Sequence, residues 1–329
     1  MDVSRRGLLG AGAGIVATGL LSTPLIAKAA PDQRRGRRAK NVIFCAVDGM
    51  ALSSLTMLDH YLQITEGKRS YWSELLDADD VSIGYQDTRS LNSVVTDSSA
   101  ASSTWGSGRR IWNGQVNQYP DGTELRPIAS LMVEAGVKVG LVTTTTITHA
   151  TPSGFAVNCV QRDLEHLIAE KYLASGVSVL MGGGNRSFSA DRRQDKRDLY
   201  ADFAREGFKV VRERSQIEGL KAGKILGIFS DSHLPYTVDR NHSADLQAKV
   251  PTLAEMAKVA IDNLKGNRNG FLLQIEGGRV DHGGHANDLA GLLYDQLEFE
   301  AAVRVAVDFA RKDGDTLVII TADHACGRH

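Results

Sequence analysis

The 329-residue chain has 38 Lys and Arg against 39 Asp and Glu, with 42% hydrophobic residues and three cysteines. Residues 1–40 hold eight of the basic residues and two of the acidic ones, so residues 41–329 carry a net charge of about −7, which argues against nucleic-acid binding. Cys45, Cys159 and Cys326 have no pairing pattern by spacing and read as free thiols rather than a disulfide framework.

Residues 1–29 read as a targeting segment. Ser4-Arg5-Arg6-Gly7-Leu8-Leu9, a Gly/Ala/Leu-rich stretch and Ala27-Lys28-Ala29 make a twin-arginine export signal with small residues at its cleavage site. The apolar part is too short and too diluted by glycine to anchor stably, since a spanning helix needs about 20 apolar residues. The expected partner during export is the twin-arginine translocase, which carries a folded protein, and the expected location is periplasmic or secreted. Residues 30–40, with Arg34, Arg35, Arg37, Arg38 and Lys40, form a basic, solvated linker. From Ala30 onward about 300 residues remain, enough for one large α/β domain or two small ones, and residues 41–329 are read as one.

Asn41–Val47 is a buried strand that ends in Asp48-Gly49, where Asp48 either binds a cation or caps the helix beginning near Ser53. Val94 to Trp105 enters a helix of small residues. Asp97 or Ser98 caps it, or a serine at its positive end accepts phosphate. A second buried strand over 138–144 leads into Thr145 to Pro152, with His149 and Thr151. Arg162 falls early in a helix expected over 160–174, with Cys159 at its start; it is a surface ion-pair residue or a bidentate phosphate clamp.

The middle is less informative. Val177–Met181 and a glycine loop lack the P-loop lysine. A charged helix is expected over 191–206, a strand over 225–229 and an amphipathic helix over 251–264 with Leu253, Met256, Val259 and Ala260 on one face.

Gly270 to His285, GFLLQIEGGRVDHGGH, is the richest stretch. An apolar strand ends at Glu276, and Asp281, His282 and His285 follow within ten residues. Their oxygens and nitrogens suit zinc or magnesium, and Gly277, Gly278, Gly283 and Gly284 are expected to bend the backbone so that they converge. One or two helices follow over 289–310. A last strand over 316–320 ends in Asp323-His324. Four strands thus end in similar polar clusters.

VDGM at 47–50, TDSSAASSTW at 96–105, THATPSG at 148–154, IEGGRVDHGGH at 275–285 and TADH at 321–324 together resemble the alkaline phosphatases, in the family's order. The resemblance implies an α/β three-layer sandwich, a central mostly parallel sheet with helices on both faces. It implies hydrolysis of small phosphate monoesters through a phosphoserine at Ser98, favoured over Ser99 by an ungapped match from Asp97 to Gly108. Arg162 would hold phosphate, with Asp97, His149 and His282 nearby. Asp48, Asp323 and His324 would hold one zinc, Asp281 and His285 a second, and Asp48, Thr151 and Glu276 a magnesium. His149 and His282 follow the vertebrate-like branch. The family's third ligand for the second zinc lies in a carboxyl-terminal portion absent after Arg328-His329, so that site is expected to be incomplete and the chain poorly active. A homodimer is common in the family. Diester or sulfate hydrolysis on the same core, or a silent metal- or phosphate-binding remnant, are the alternatives.

Overall fold

The strands are laid down by short apolar runs, each long enough for one pass across a sheet and bounded by glycine or polar residues. In the computed structural model, which describes residues 38–220 and 223–326, they are β1 (Asn41–Val47), β2 (Lys138–Thr146), β3 (Val179–Gly183), β4 (Phe208–Val211), β5 (Lys224–Ile228), β6 (Phe271–Gly277) and β7 (Thr316–Ala322). The export signal, most of the basic linker and Arg328-His329 lie outside the described residues.

One sheet in the order β4-β5-β3-β2-β6-β1-β7 contains all seven strands, and every pairing is parallel. Successive side chains on each strand serve opposite faces. Ile43, Cys45, Val47, Leu273 and Ile275 enter one core, with residues of the helices Leu52–Glu66, Leu253–Leu264 and Leu289–Asp313. Leu141, Leu180 and Leu272 enter the other, where Val42 and Phe44 also pack, against the helices Ala150–Ala156, Glu165–Ala174 and Leu199–Arg205. The result is the expected three layers. Each large apolar side chain so buried contributes about 1.5–3 kcal/mol. No helix among the described residues is long and apolar enough to cross a membrane.

Several expected elements differ. The segment after β6 is a helix, Arg279–Ala286, rather than a glycine turn. Its glycines have ordinary φ and are small because neighbours crowd them: a Cβ on Gly283 would lie 2.6 Å from the Leu292 nitrogen, and one on Gly277 would lie 2.8 Å from the Phe299 ring. The helix expected over 160–174 begins only at Glu165, because the Arg162 amide is held by the Gly114 carbonyl at 2.7 Å. Cys159 is not at a helix start but in a two-way backbone bridge with Val116. The charged helix expected over 191–206 is confined to Leu199–Arg205. Arg193 explains this: its buried guanidinium donates to the carbonyls of His166 and Ser187 and to the carboxylates of Glu170 and Asp195, which holds 189–198 as a loop. Residues 289–313 form a single helix, stopped by Gly314 at φ +75°.

Candidate metal centre and active site

Because every strand runs the same way, the carboxyl ends of β1, β2, β6 and β7 open on one edge, and each contributes a polar group there. Asp48 follows β1, Thr143 and Thr145 end β2, Glu276 ends β6, and Asp323 follows β7. Gly49, at φ +71°, turns the chain so that its amide donates to Asp323 Oδ1 at 3.0 Å, which ties the β1 and β7 ends together.

Ser98 is the first residue of the helix Ser98–Ser107. Asp97 is the N-cap, accepting from the Ala100 amide at 2.9 Å, so its capping role and the placement of Ser98 are one device. Ser98 Oγ lies 3.3 Å from Asp48 Oδ1 and 3.3 Å from His324 Nε2. Ser99 turns the other way: its hydroxyl donates to both Asp97 oxygens and accepts from the Gly114 amide.

Asp48, Glu276, Asp281 and Asp323 are all buried. Burial, reinforced by repulsion from Asp323, Asp281 and Glu276, drives the Asp48 carboxyl well above its ordinary range. Burial likewise raises Glu276, against hydrogen bonds from Thr143 and Thr145. Acidic groups brought together at this cost need a compensating positive charge. Their unpaired atoms say where: Asp48 Oδ2, Thr151 Oγ1, Glu276 Oε1, Asp281 Oδ1 and Asp323 Oδ2 are buried without a hydrogen-bond partner.

Ligand spacing supports the same reading. Four donors about 2.0–2.2 Å from a tetrahedral cation stand about 3.3–3.6 Å apart. His324 Nε2 lies 3.3 Å from Asp323 Oδ2 and 3.6 Å from Asp48 Oδ1, and His285 Nε2 lies 3.5 Å from Asp281 Oδ2. Asp281 and His285 meet because they are one turn apart on their helix. Three overlapping donor groups result: Asp48, Asp281 and His324; Asp48, His149 and Glu276; and Asp281, His285 and Cys326. Asp48 belongs to the first two, as a carboxylate bridging neighbouring cations would. The residues present fit divalent cations.

His149 belongs to the second group by distance, and its Arg162 contact decides which ring nitrogen faces that group. Arg162 donates from Nη2 to His149 Nε2 at 3.1 Å, and a guanidinium has no acceptor, so Nε2 carries the lone pair and Nδ1 the proton. Nδ1–H then faces Asp48 Oδ2 at 3.9 Å and Glu276 Oε1 at 3.8 Å, beyond hydrogen-bond reach of either. His282 Nδ1 accepts from Arg279 at 2.7 Å and His233 Nδ1 from the Thr146 amide at 3.1 Å. The three imidazoles pack together, with His233 and His282 centroids 4.4 Å apart. Burial first, and then neighbouring positive or imidazole groups, lowers His149 and His233 to about 3 and His282 to about 2. All three are neutral at working pH.

Arg162 also donates to Asp97 Oδ2 at 3.1 Å. All the residues singled out in the sequence therefore gather at one edge of the sheet. His233, Arg279, Thr143 and Thr145 were not singled out. Thr143 and Thr145 lie within the end of β2, and the only signal of Arg279 and His233 is position past a strand end, for His233 the Asp231-Ser232-His233 run after β5.

The sequence pattern of the alkaline phosphatase family matches residues 39–328. This chain belongs to the alkaline phosphatase family. It is 33% identical to "Alkaline phosphatase 3" of Bacillus subtilis over 308 residues, covering 91% of this chain and 64% of that protein. The crystal structure of Thermus thermophilus alkaline phosphatase superposes with a TM-score of 0.85 at 40% identity, covering 89% of this chain and 61% of that one. The alkaline phosphatase of the Antarctic bacterium TAB5 follows with a TM-score of 0.78 at 28% identity, covering 88% of this chain and 81% of that one. The chain thus spans less than two thirds of the first two relatives. A histidine-to-aspartate mutant of the TAB5 alkaline phosphatase carries magnesium in its M3 site.

Proposed function

We propose that this chain carries the catalytic core of a metal-dependent phosphate monoesterase working through a phosphoserine at Ser98. The observation that carries the reading is the convergence of Ser98 Oγ on Asp48 and His324, among buried carboxylate oxygens that have no hydrogen-bond partner. In this reading Asp48, Asp323 and His324 hold one zinc, Asp281 and His285 a second, and Asp48, Thr151 and Glu276 a magnesium. Bound there, the divalent cations would supply Lewis-acid neutralisation of the entering and leaving oxygens.

The residues do the rest. Arg162, oriented by Asp97 and His149, offers a planar fork to two non-bridging phosphate oxygens. Ser98 presents its oxygen at a helix amino terminus, where free amides and the helix dipole favour the incoming phosphate. The Ser98 Oγ–P bond forms as the ester P–O bond breaks, and the proton that Ser98 loses ends on the leaving oxygen, which departs as the alcohol. In the second displacement water attacks phosphorus, the P–Oγ bond breaks, phosphate leaves and Ser98 regains a proton. Thr143 and Thr145 keep Glu276 aimed into the site.

Residues 1–29 are proposed as the twin-arginine signal and 30–40 as the linker, which makes the protein periplasmic or secreted. The test is trapping of covalent phosphate from labelled p-nitrophenyl phosphate. Wild type and Ser99→Ala should accumulate it and Ser98→Ala should not. Label retained by Ser98→Ala would overturn the assignment, and faster turnover of bis-p-nitrophenyl phosphate or p-nitrophenyl sulfate would move the substrate class.

A further inference from the structure

We propose that Arg279 is a positioning residue that holds His282 as an Nε2–H donor for the anion bound by Arg162. The inference rests on the monoesterase reading above and names a residue that acts through one of its imidazoles. Arg279 and His282 stand three residues apart on the helix Arg279–Ala286, so they share a face. Arg279 Nη1 donates to His282 Nδ1 at 2.7 Å. A guanidinium cannot accept, so Nδ1 carries the lone pair and the proton sits on Nε2.

The arginine is itself held in place. Its guanidinium lies 3.8 Å from the Tyr236 ring centroid, a stack that favours one plane. Tyr236 is seated against the helix Leu289–Asp313, where a Cβ on Gly291 would lie 3.3 Å from Tyr236 Cδ1, and the next amide, of Thr237, donates to Asp295 Oδ2 at 3.0 Å. The Arg279 amide donates to Thr144 Oγ1 at 3.2 Å, which ties the start of its helix to β2. The contact with His282 is the one hydrogen bond of the guanidinium among the described residues, its Nε being buried without a partner.

The neighbouring rings cannot take the His282 proton. His149 accepts from Arg162 through Nε2 at 3.1 Å, and His233 accepts from the Thr146 amide through Nδ1 at 3.1 Å, so the remaining nitrogen of each neutral ring is an N–H. Their centroids lie 5.8 and 4.4 Å from that of His282. With its lone pair filled by Arg279, His282 has only a donor to offer, which suits an anion and not a cation. It packs beside His149, the residue that orients Arg162, and this places its Nε2–H on the phosphate side of the centre.

The test has two readouts on the full chain. Long-range proton–nitrogen correlation spectra of histidine-labelled protein, with His282 assigned by its loss in His282→Ala, should show the proton on Nε2 in wild type, and Arg279→Met should let both tautomers populate. Calorimetric titration of the Zn2+- and Mg2+-loaded chain with inorganic phosphate should show binding weakened by roughly 2–10-fold in Arg279→Met, the worth of one hydrogen bond. Arg279→Met added to His282→Ala should cost nothing more, because a residue that acts through His282 then has nothing left to hold. A wild-type proton on Nδ1 overturns the proposal even if the variants fold poorly. The same loss in both backgrounds also overturns it, since Arg279 would then act by its charge or its packing, and leaves the monoesterase reading standing. A wild type that binds no phosphate overturns that reading and the donor role together.

Discussion

Gly49 joins backbone conformation to the metal centre, and a matched pair of substitutions separates the two. Gly49 has φ +71°, and a Cβ there would lie 2.5 Å from Asp281 Oδ1 and 2.6 Å from Asp281 Cα. Gly67 has φ +67° with nothing within 4 Å of its Cβ position. Alanine at either site incurs the left-handed penalty of about 1–2 kcal/mol. Only Gly49→Ala adds a collision with a backbone atom that no rotamer relieves, at an overpacking cost of about 1–3 kcal/mol. Metal-free Gly49→Ala should therefore melt about 2–10 °C below Gly67→Ala. The shift also drags Asp281, and through the Gly49 amide it disturbs Asp323, so zinc retained after dialysis should fall in Gly49→Ala and stay at the wild-type level in Gly67→Ala. Thermal unfolding in chelator and elemental analysis are the assays. Equal melting losses, with zinc retained by both variants, would refute the argument.

Arg162→Ala should weaken inhibition by inorganic phosphate and lower kcat/KM by roughly 10–100-fold, the loss of charge-assisted hydrogen bonds worth about 1.5–3 kcal/mol, while metal content stays unchanged; an unaltered phosphate inhibition constant would make it a surface residue. Glu300 tests stability against pH away from the site. Burial pushes it up to about 7, with Oε2 accepting from the Tyr71 amide at 2.7 Å and Oε1 unpaired. The unfolded chain ionises from about pH 4.3 whereas the folded one holds its proton until about 7, so stability falls as pH rises through that window and stays lowered above it. Glu300→Gln should thus stabilise by about 3–4 kcal/mol at pH 8 and negligibly at pH 4; a melting gain equal at both pH values would count against this account.

The strands and their polar ends were legible because parallel strands buried on both faces are written as apolar runs, and a run that stops in Asp or Glu is visible in one dimension. Less visible was anything that depends on what packs against the chain. Gly283 reads as a turn residue, but it is small because the Leu289–Asp313 helix passes against it, and local sequence does not state that approach. Arg193 reads as one more helical charge, but it is the buried hub of a loop, an outcome set by carbonyls and carboxylates far apart in the chain. β4 went unread because Phe-Lys-Val-Val at a sheet edge is too short to show a period. His149 is visible in the sequence as a group past β2, while its proton position required the Arg162 contact.

The strand order has a temporal side. β1 is flanked by β6 and β7, the last two strands among the described residues, with Cys45 opposite both Ile275 and Ile320. During synthesis β1 emerges roughly 220 residues ahead of β6, about 10–45 s at ordinary elongation rates. Throughout that interval its neighbours on both sides do not yet exist, and Asp48 waits with it. The nascent chain must keep one apolar strand shielded until both β6 and β7 have been made, so the polar cluster that includes Asp48 can assemble only after they emerge.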